Sequence, residues 1–225
     1  MRTQPNKQNS TPIVSGSTFK KHQVFIGDAS GSMSGPKWDS LVEGYLSIVK
    51  TVQKENFTTM STIIFPNYEH KMFEAVNYVT AVLPHYANGS STPLFRTMWE
   101  VLSKVKQKLT LEDKFLVSIV TDGGDNVPFG NLPGLKELVT YLISKGVTIT
   151  FIGTENDTQS MINLFNLDKS NTLVHQNTGD SVQEAFATNT RALGMYSKSV
   201  DLGEDTTTNY FTKVVNPQWP HQNQQ

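Results

Sequence analysis

The sequence predicts an α/β fold: a doubly wound, mostly parallel six-stranded sheet with one short antiparallel edge strand and helices on both faces. Two observations lead to this prediction. Short apolar runs, typical of strands buried on both faces, alternate with longer segments whose apolar residues recur every three or four positions, as on one face of a helix. Strands that alternate with helices in this way form a parallel sheet covered on both sides.

The first half of the chain contains three predicted strands and two predicted helices. A short apolar run at 23–26 ends at a Gly-Asp turn, and the helix that follows carries an apolar stripe over 38–52. Residues 58–65 are β-branched and aromatic, and 70–75 return as the second strand of a hairpin. A hairpin turn is too short for a parallel crossover, so 70–75 is the expected antiparallel strand. Pro93 then opens a helix with one apolar face.

The second half repeats the alternation of strand and helix. The predicted strands are at 115–120, 147–152 and 172–175, and the predicted helices are at about 132–145, 161–165 and 181–196. The apolar periodicity fades after Tyr196, where we expect the regular fold to end.

A chain of 225 residues has room for one domain of ordinary to large size. Residues 1–18 are polar with little to bury, which predicts a flexible N-terminal arm. The domain is expected at 19–197. Residues 198–225 are predicted to be a C-terminal extension. Within it, 201–225 is expected to be a loosely attached tail, because this stretch is polar and its few apolar residues follow no period.

Charge and composition exclude several classes of function. With 19 basic and 20 acidic residues the net charge is -1, which gives no electrostatic surface for nucleic acid or an anionic membrane. The absence of cysteine excludes disulfides and thiolate metal sites. The start of the chain lacks the apolar core of a secretory signal, and no apolar stretch is long enough for a membrane span. We therefore expect a cytoplasmic protein.

Three oxygen-bearing side chains alternate directly after the first predicted strand: Asp28, Ser30 and Ser32. Alternate positions can point their oxygens to one place, and in an open parallel α/β sheet ligands bind at the carboxyl ends of strands. A carboxylate and two hydroxyls form a hard oxygen set that suits Mg²⁺ or Mn²⁺ rather than zinc.

Two further residues are candidates for the same site, because three ligands are too few for an octahedral ion. Thr92 precedes a predicted helix, and Asp122 follows a predicted strand. In a doubly wound sheet the strands that end at Asp28 and Asp122 lie side by side at the switch point, where their loops diverge and leave a crevice. The predicted metal ligands are Asp28, Ser30, Ser32, Thr92 and Asp122.

The order Asp-x-Ser-x-Ser, then Thr, then Asp resembles the von Willebrand factor A family and its metal-ion-dependent adhesion site, over roughly residues 20–197. The resemblance implies that the hydroxyls of Ser30, Ser32 and Thr92 are direct or switchable ligands and that the two aspartates often act through bound water. It also implies an open position for a carboxylate of a partner. Without cysteines or a signal, the chain resembles the freestanding intracellular members found in bacteria and their phages. Ser91 stands where the family often has Gly.

Less specific interpretations of these residues remain open. Asp28 and the serines after it could cap the next helix instead of binding metal, or could do both. Asp125 and Asn126 could also reach the site, but we favour turn formation and helix capping for them.

The predicted function is a metal-dependent protein-binding module without covalent chemistry, in which Mg²⁺ or Mn²⁺ bridges to an Asp or Glu of a partner protein. One alternative is a structural subunit of a larger assembly, of phage or stress-response type, with an unused metal site. A second is a Mg²⁺-dependent phosphoester hydrolase. Aspartyl phosphotransfer needs a second acid near the first, however, and the residue two positions after Asp28 is Ser30 rather than an aspartate. A nucleotide-binding loop is poorly supported, because the glycines at 27–35 do not have the spacing Gly-x-Gly-x-x-Gly and the segment lacks Gly-Lys-Ser/Thr.

Overall fold

The computed structural model describes residues 19–66, 70–79, 83, 87 and 89–215. Its strands are β1 (Lys20–Asp28), β2 (Thr59–Phe65), β3 (Lys71–Ala75), β4 (Asp113–Val120), β5 (Thr148–Gly153) and β6 (Thr172–Val174). Its helices are α1 (Pro36–Lys54), α2 (Leu94–Lys108), α3 (Leu132–Ser144), α4 (Glu155–Phe165), α5 (Gly179–Asp201) and α6 (Thr212–Val215).

The strands form one six-stranded sheet in the order β3-β2-β1-β4-β5-β6. β1 is parallel to both β2 and β4, and β3 is antiparallel to β2 at the edge. The predicted fold class is therefore confirmed, including the antiparallel edge strand. The chain winds outward from β1 in one direction and from β4 in the other, so the switch point lies between these two strands.

Apolar side chains cover both faces of the sheet. On one face Phe25 of β1 packs with α1 and α5, and on the other Val24 and Ile26 pack with α2, α3 and α4. Successive residues of β1 thus point into opposite layers of core, which explains why its sequence is continuously apolar. α1 and α5 approach closely at Gly44, where a Cβ atom would overlap the ring of Phe186.

Two helices extend beyond the ranges that their apolar patterns predict. α4 begins at Glu155 rather than near residue 161, and the Thr154 hydroxyl at its N-terminus accepts a hydrogen bond from the backbone N–H of Asp157. The first turn of α4 is polar, so it adds no apolar stripe to the sequence. α5 continues to Asp201, beyond the predicted end near residue 196.

The described part of the C-terminal extension packs against the domain. Tyr210 and Phe211 are buried, at 4% and 3% exposed. The Tyr210 hydroxyl donates a hydrogen bond of 3.0 Å to Asn189, and its backbone N–H donates one of 3.0 Å to Asn171. The expectation of a loosely attached tail is wrong for residues 201–215, because the rings of Tyr210 and Phe211 are part of the core. The predicted domain bounds stay a prediction, and residues 1–18 and 216–225 lie outside the described residues.

The helices in the described ranges include none with the length and apolarity needed to cross a bilayer.

Candidate metal centre

The turn after β1 is organised around the buried carboxylate of Asp28. One oxygen accepts a hydrogen bond of 2.7 Å from the backbone N–H of Ser30, and the other accepts one of 2.6 Å from the Thr121 hydroxyl at the end of β4. Burial raises the pKa of the Asp28 carboxyl, and these hydrogen bonds oppose that rise. Asp28 therefore joins β1 to β4 at the switch point.

A chain of side-chain hydrogen bonds continues from this turn to Asp122. The hydroxyls of Ser30 and Ser32 lie 3.0 Å apart, and Ser32 donates a hydrogen bond of 2.6 Å to Asp122 Oδ1. Ser30 is buried and Ser32 is exposed, so this series of hydrogen bonds extends from the interior to the surface of the crevice. The structure thus brings together four of the five predicted ligands: Asp28, Ser30, Ser32 and Asp122.

The loop that leads to Thr92 lies directly on the Asp28 turn. The backbone N–H of Gly89 donates to the carbonyl of Ala29 at 3.0 Å, and the backbone N–H of Gly31 donates to the carbonyl of Gly89 at 2.7 Å. A Cβ atom at position 89 would overlap the ring of Pro66 and approach the Ala29 carbonyl oxygen to 3.1 Å. Only glycine allows this close approach.

Thr92 itself is buried and is held from the other side by the loop after β4. The backbone N–H of Thr92 donates a hydrogen bond of 2.6 Å to the side-chain oxygen of Asn126. The backbone N–H of Asn126 in turn donates one of 3.1 Å to the Thr92 carbonyl. Asp125 accepts a hydrogen bond of 2.8 Å from the backbone N–H of Phe95 in the first turn of α2. Asp125 therefore caps the first turn of α2, as predicted. Asn126 instead bonds to Thr92 ahead of the helix and holds it against the loop after β4.

One charged residue of this centre, Lys37, is not identified by the sequence motif. The ammonium group of Lys37 donates hydrogen bonds to Asp122 Oδ2 and, at 2.7 Å, to the side chain of Asn177. The side chain of Lys37 is 14% exposed and that of Asp122 is 0% exposed. Lys37 lies in the first turn of α1, where the positive end of the helix dipole disfavours a cation. A lysine at this unfavourable position is the one feature of the sequence that indicates a partner of opposite charge for Lys37.

The structure does not favour a role in helix capping alone for the Asp28 turn. α1 is preceded by Gly35, with no side-chain hydrogen bond at that N-cap, and Ser30 makes no capping bond to the short 3₁₀ turn after it. The Ser30 and Ser32 hydroxyls instead contact each other and Asp122. These oxygens are therefore organised around the crevice rather than around a helix end.

The donor set fits a hard divalent cation. The described ranges contain no group of three or more His, Asp or Glu side chains that could hold a metal, and the chain has no cysteine. The centre combines two carboxylates, Asp28 and Asp122, with neutral hydroxyls, and all of these are oxygen donors. Such a set leaves part of an octahedral coordination shell to water or to another molecule.

Comparison with solved structures supports the fold. The PilB minor pilin from Streptococcus sanguinis, in a mutant form, matches with a TM-score of 0.57 at 10% identity over 88% of this chain and 64% of that chain. The manganese-loaded Plasmodium vivax TRAP protein matches at 0.53 and 14% identity over 76% and 72%. Proximal thread matrix protein 1 from the mussel byssus matches at 0.50 and 15% over 80% and 48%.

At this identity the likeness shows a shared fold, that of the von Willebrand factor A domain, as the sequence resemblance predicts. The chain spans about half of the mussel protein, 48%, and somewhat less than two thirds of the pilin, 64%. No protein-family model and no curated protein matches the sequence.

Proposed function

We propose that this von Willebrand factor A domain is a protein-binding module that uses a divalent cation, Mg²⁺ or Mn²⁺, to bind an Asp or Glu side chain of a partner protein. The metal ligands would be Asp28, Ser30, Ser32, Thr92 and Asp122. The observation that carries the proposal is the hydrogen-bonded chain that joins the Asp28 turn to Asp122 at the switch point of the sheet.

The charges of the centre favour a cation. Two buried carboxylates, Asp28 and Asp122, face one ammonium group, that of Lys37, so the hydrogen-bonded network carries one net negative charge. A buried charge without a partner is costly, and a bound cation relieves that cost.

Asp28 and Ser32 would have different roles in binding the ion. Asp28 already accepts hydrogen bonds on both oxygens, so it supplies charge and orients the turn. Ser32 is exposed and its hydroxyl lies next to Asp122, so it is the donor of this network that a ligand reaches first. A bound divalent ion would supply a concentrated positive charge that attracts a carboxylate directionally.

Binding without catalysis is the form of this function that the centre supports best. Metal-assisted hydrolysis usually needs a positioned base or a second ion. Within the described ranges, the side chains that hydrogen-bond to the network are those of Thr121, Lys37 and Asn177, and none of these is a histidine or a further carboxylate. The cytoplasmic location and the bacterial or phage origin belong to this proposal as predictions.

The proposal is tested by Mn²⁺ titration followed by acetate addition. Electron paramagnetic resonance of free Mn²⁺ measures binding, and the relaxation rate of water protons reports whether acetate displaces water from the bound ion. We expect saturable Mn²⁺ binding in the wild type, its loss in Ser30→Ala, and a fall in relaxation rate with acetate. An absence of Mn²⁺ binding at millimolar concentration contradicts the proposal and favours the structural-subunit alternative. Turnover of p-nitrophenyl phosphate that depends on Mn²⁺ and on Ser30 would instead favour the hydrolase.

A further inference from the structure

Lys37 brings a fixed positive charge into the proposed metal centre. Its ammonium group contacts Asp122 Oδ2 and lies 2.7 Å from Asn177 Oδ1, and only 14% of its side chain is exposed. The other oxygen of Asp122 accepts the Ser32 hydroxyl at 2.6 Å. Both oxygens of this carboxylate are therefore engaged by the chain itself.

Helix α1 gives no reason of its own for a cation at this position. Lys37 is the second residue of the helix, close to the positive end of its dipole. A lysine there also loses side-chain freedom when it is held by two acceptors. Asp122, whose side chain is fully buried, supplies the compensating interaction. The position of the Lys37 ammonium group is therefore explained by its contact with Asp122 in the centre rather than by helix α1.

We infer that Lys37 is an internal counter-cation of the centre: it neutralises Asp122 in the metal-free state, lowers affinity for the divalent ion alone, and raises affinity for a carboxylate once the ion is bound. This inference rests on the proposed function. With Lys37 present, the network has a charge of −1 without the ion and +1 with it. Without Lys37, the same two carboxylates and a divalent ion would be neutral.

The excess charge makes occupation of the site depend on the partner. The ammonium repels the incoming ion, so the ion alone binds weakly. A carboxylate that joins the loaded centre meets one net positive charge instead of none, and it neutralises that charge. The ion and the carboxylate therefore favour each other's binding, which is positive coupling in the thermodynamic sense.

The test compares the wild type with two variants that remove the charge of Lys37 and with two controls. One control keeps the charge at position 37, and the other removes a lysine far from the centre. Lys37→Met removes charge and hydrogen bonds, and Lys37→Gln removes the charge but keeps a donor for Asp122. Lys37→Arg keeps the charge. Lys20→Met removes an exposed lysine paired with Glu112 at 3.1 Å, at the opposite end of β1. Circular dichroism verifies folding of every variant before titration.

Mn²⁺ affinity is the primary measurement, by electron paramagnetic resonance at fixed ionic strength. Like charges at close range repel strongly in a partly buried site, so we expect Mn²⁺ to bind at least about tenfold more tightly to Lys37→Met and Lys37→Gln, which lack the ammonium group beside Asp122. Lys20→Met should bind as the wild type does, and Lys37→Arg, which keeps the charge, should bind Mn²⁺ more weakly than either neutral variant. Acetate affinity of the Mn²⁺-loaded protein, from water proton relaxation, should fall in both neutral variants.

The outcomes separate this inference from the proposed function. Unchanged or weaker Mn²⁺ binding in both neutral variants, beside a wild type that binds, overturns the role of Lys37 and leaves the proposed function standing. Mn²⁺ binding by the neutral variants alone supports the counter-cation and contradicts metal binding by the native chain. No binding in any variant overturns both. A purely structural lysine would not produce a gain in metal affinity together with a loss in acetate affinity.

Discussion

Ser32 donates a hydrogen bond of 2.6 Å to Asp122, which lies 90 residues further along the chain. This bond closes the crevice between the loops after β1 and β4, the two central strands. Because Ser32 is exposed while the Asp122 side chain is fully buried, the serine is the outer member of the pair. A change at Ser32 can therefore alter the centre with little effect on the core.

Replacement of Ser32 by alanine is expected to separate metal binding from folding. Loss of the Ser32 hydroxyl removes one hydrogen bond to a buried carboxylate and should lower the metal-free free energy of unfolding by about 1.5 kcal/mol. A ligand that binds only the native state at a hundredfold excess over its Kd stabilises it by about 2.7 kcal/mol, and most of that gain should disappear in Ser32→Ala. Differential scanning calorimetry with Mn²⁺ and with EDTA measures both quantities.

Ser34→Ala is the matched control, since Ser34 is an exposed serine in the same turn. It should retain the full rise in Tm with Mn²⁺. An equal rise in the Ser32 variant would remove Ser32 from the ligand set.

The sequence was sufficient to predict the sheet and the ends of its central strands. Continuous apolar runs identify strands buried on both faces, and parallel topology brings their carboxyl ends to one edge. Asp28 and Asp122 could be placed together by that reasoning alone. Lys37 could not, because its contact depends on how α1 is oriented relative to the loop after β4. Its unfavourable position in the first turn of the helix was a hint without a named partner.

The C-terminal segment illustrates a second limit of sequence reasoning. Tyr210 and Phe211 lie in a polar stretch that shows no helical or strand period. Tyr210 is held by Asn171 and Asn189, whose side chains accept hydrogen bonds from it across 39 and 21 residues of sequence. Periodicity detects only local patterns, so pairings over such separations leave no signal.

Truncation of Tyr210 is expected to destabilise the domain strongly. Tyr210→Ala removes a ring that is 4% exposed and packs at 4.8 Å from the ring of Phe211, between centroids. Loss of a large buried aromatic side chain costs about 3–5 kcal/mol of unfolding free energy. Urea denaturation of the whole chain measures the change.

The control for Tyr210 is Leu202→Ala, because Leu202 is 76% exposed in the same region of the chain. An exposed substitution of this kind should change stability by less than about 0.5 kcal/mol. Similar small effects in both variants would mean that the segment is loosely attached after all.

A buried histidine at the far end of β1 is expected to make stability depend on pH. His22 lies 2.8 Å from Thr59 and 2.9 Å from Asp113 through its two ring nitrogens, and it stacks on Phe115 at 4.4 Å between centroids. Burial lowers the pKa of His22 below its ordinary value of 6.5, against the opposing influence of Asp113. The neutral imidazole therefore suits the folded state.

The sign of the effect follows from that lowered pKa. As pH falls below 6.5, the unfolded chain takes up the proton before the folded chain does, so the stability contributed by His22 is present above that pH and is lost below it. Urea unfolding at pH 7.5, 6.5 and 5.5 should show a smaller decline for His22→Gln than for the wild type. Parallel declines would exclude His22 as the source. His70, whose pKa burial also lowers, acts in the same direction in both proteins.

The position of Thr92 is best tested through Gly89, which fixes its loop on the Asp28 turn. In Gly89→Ala the new methyl group would overlap the ring of Pro66 and lie 3.1 Å from the Ala29 carbonyl oxygen, so the loop must move. Such overpacking typically costs about 1–3 kcal/mol of stability. If the Thr92 hydroxyl is a ligand, the same shift should weaken Mn²⁺ binding. Gly130→Ala, at a position with open space around the Cβ, should leave both quantities nearly unchanged. Retained Mn²⁺ affinity in a destabilised Gly89→Ala protein would show that Thr92 lies outside the coordination shell, while the remaining four residues could still bind the ion.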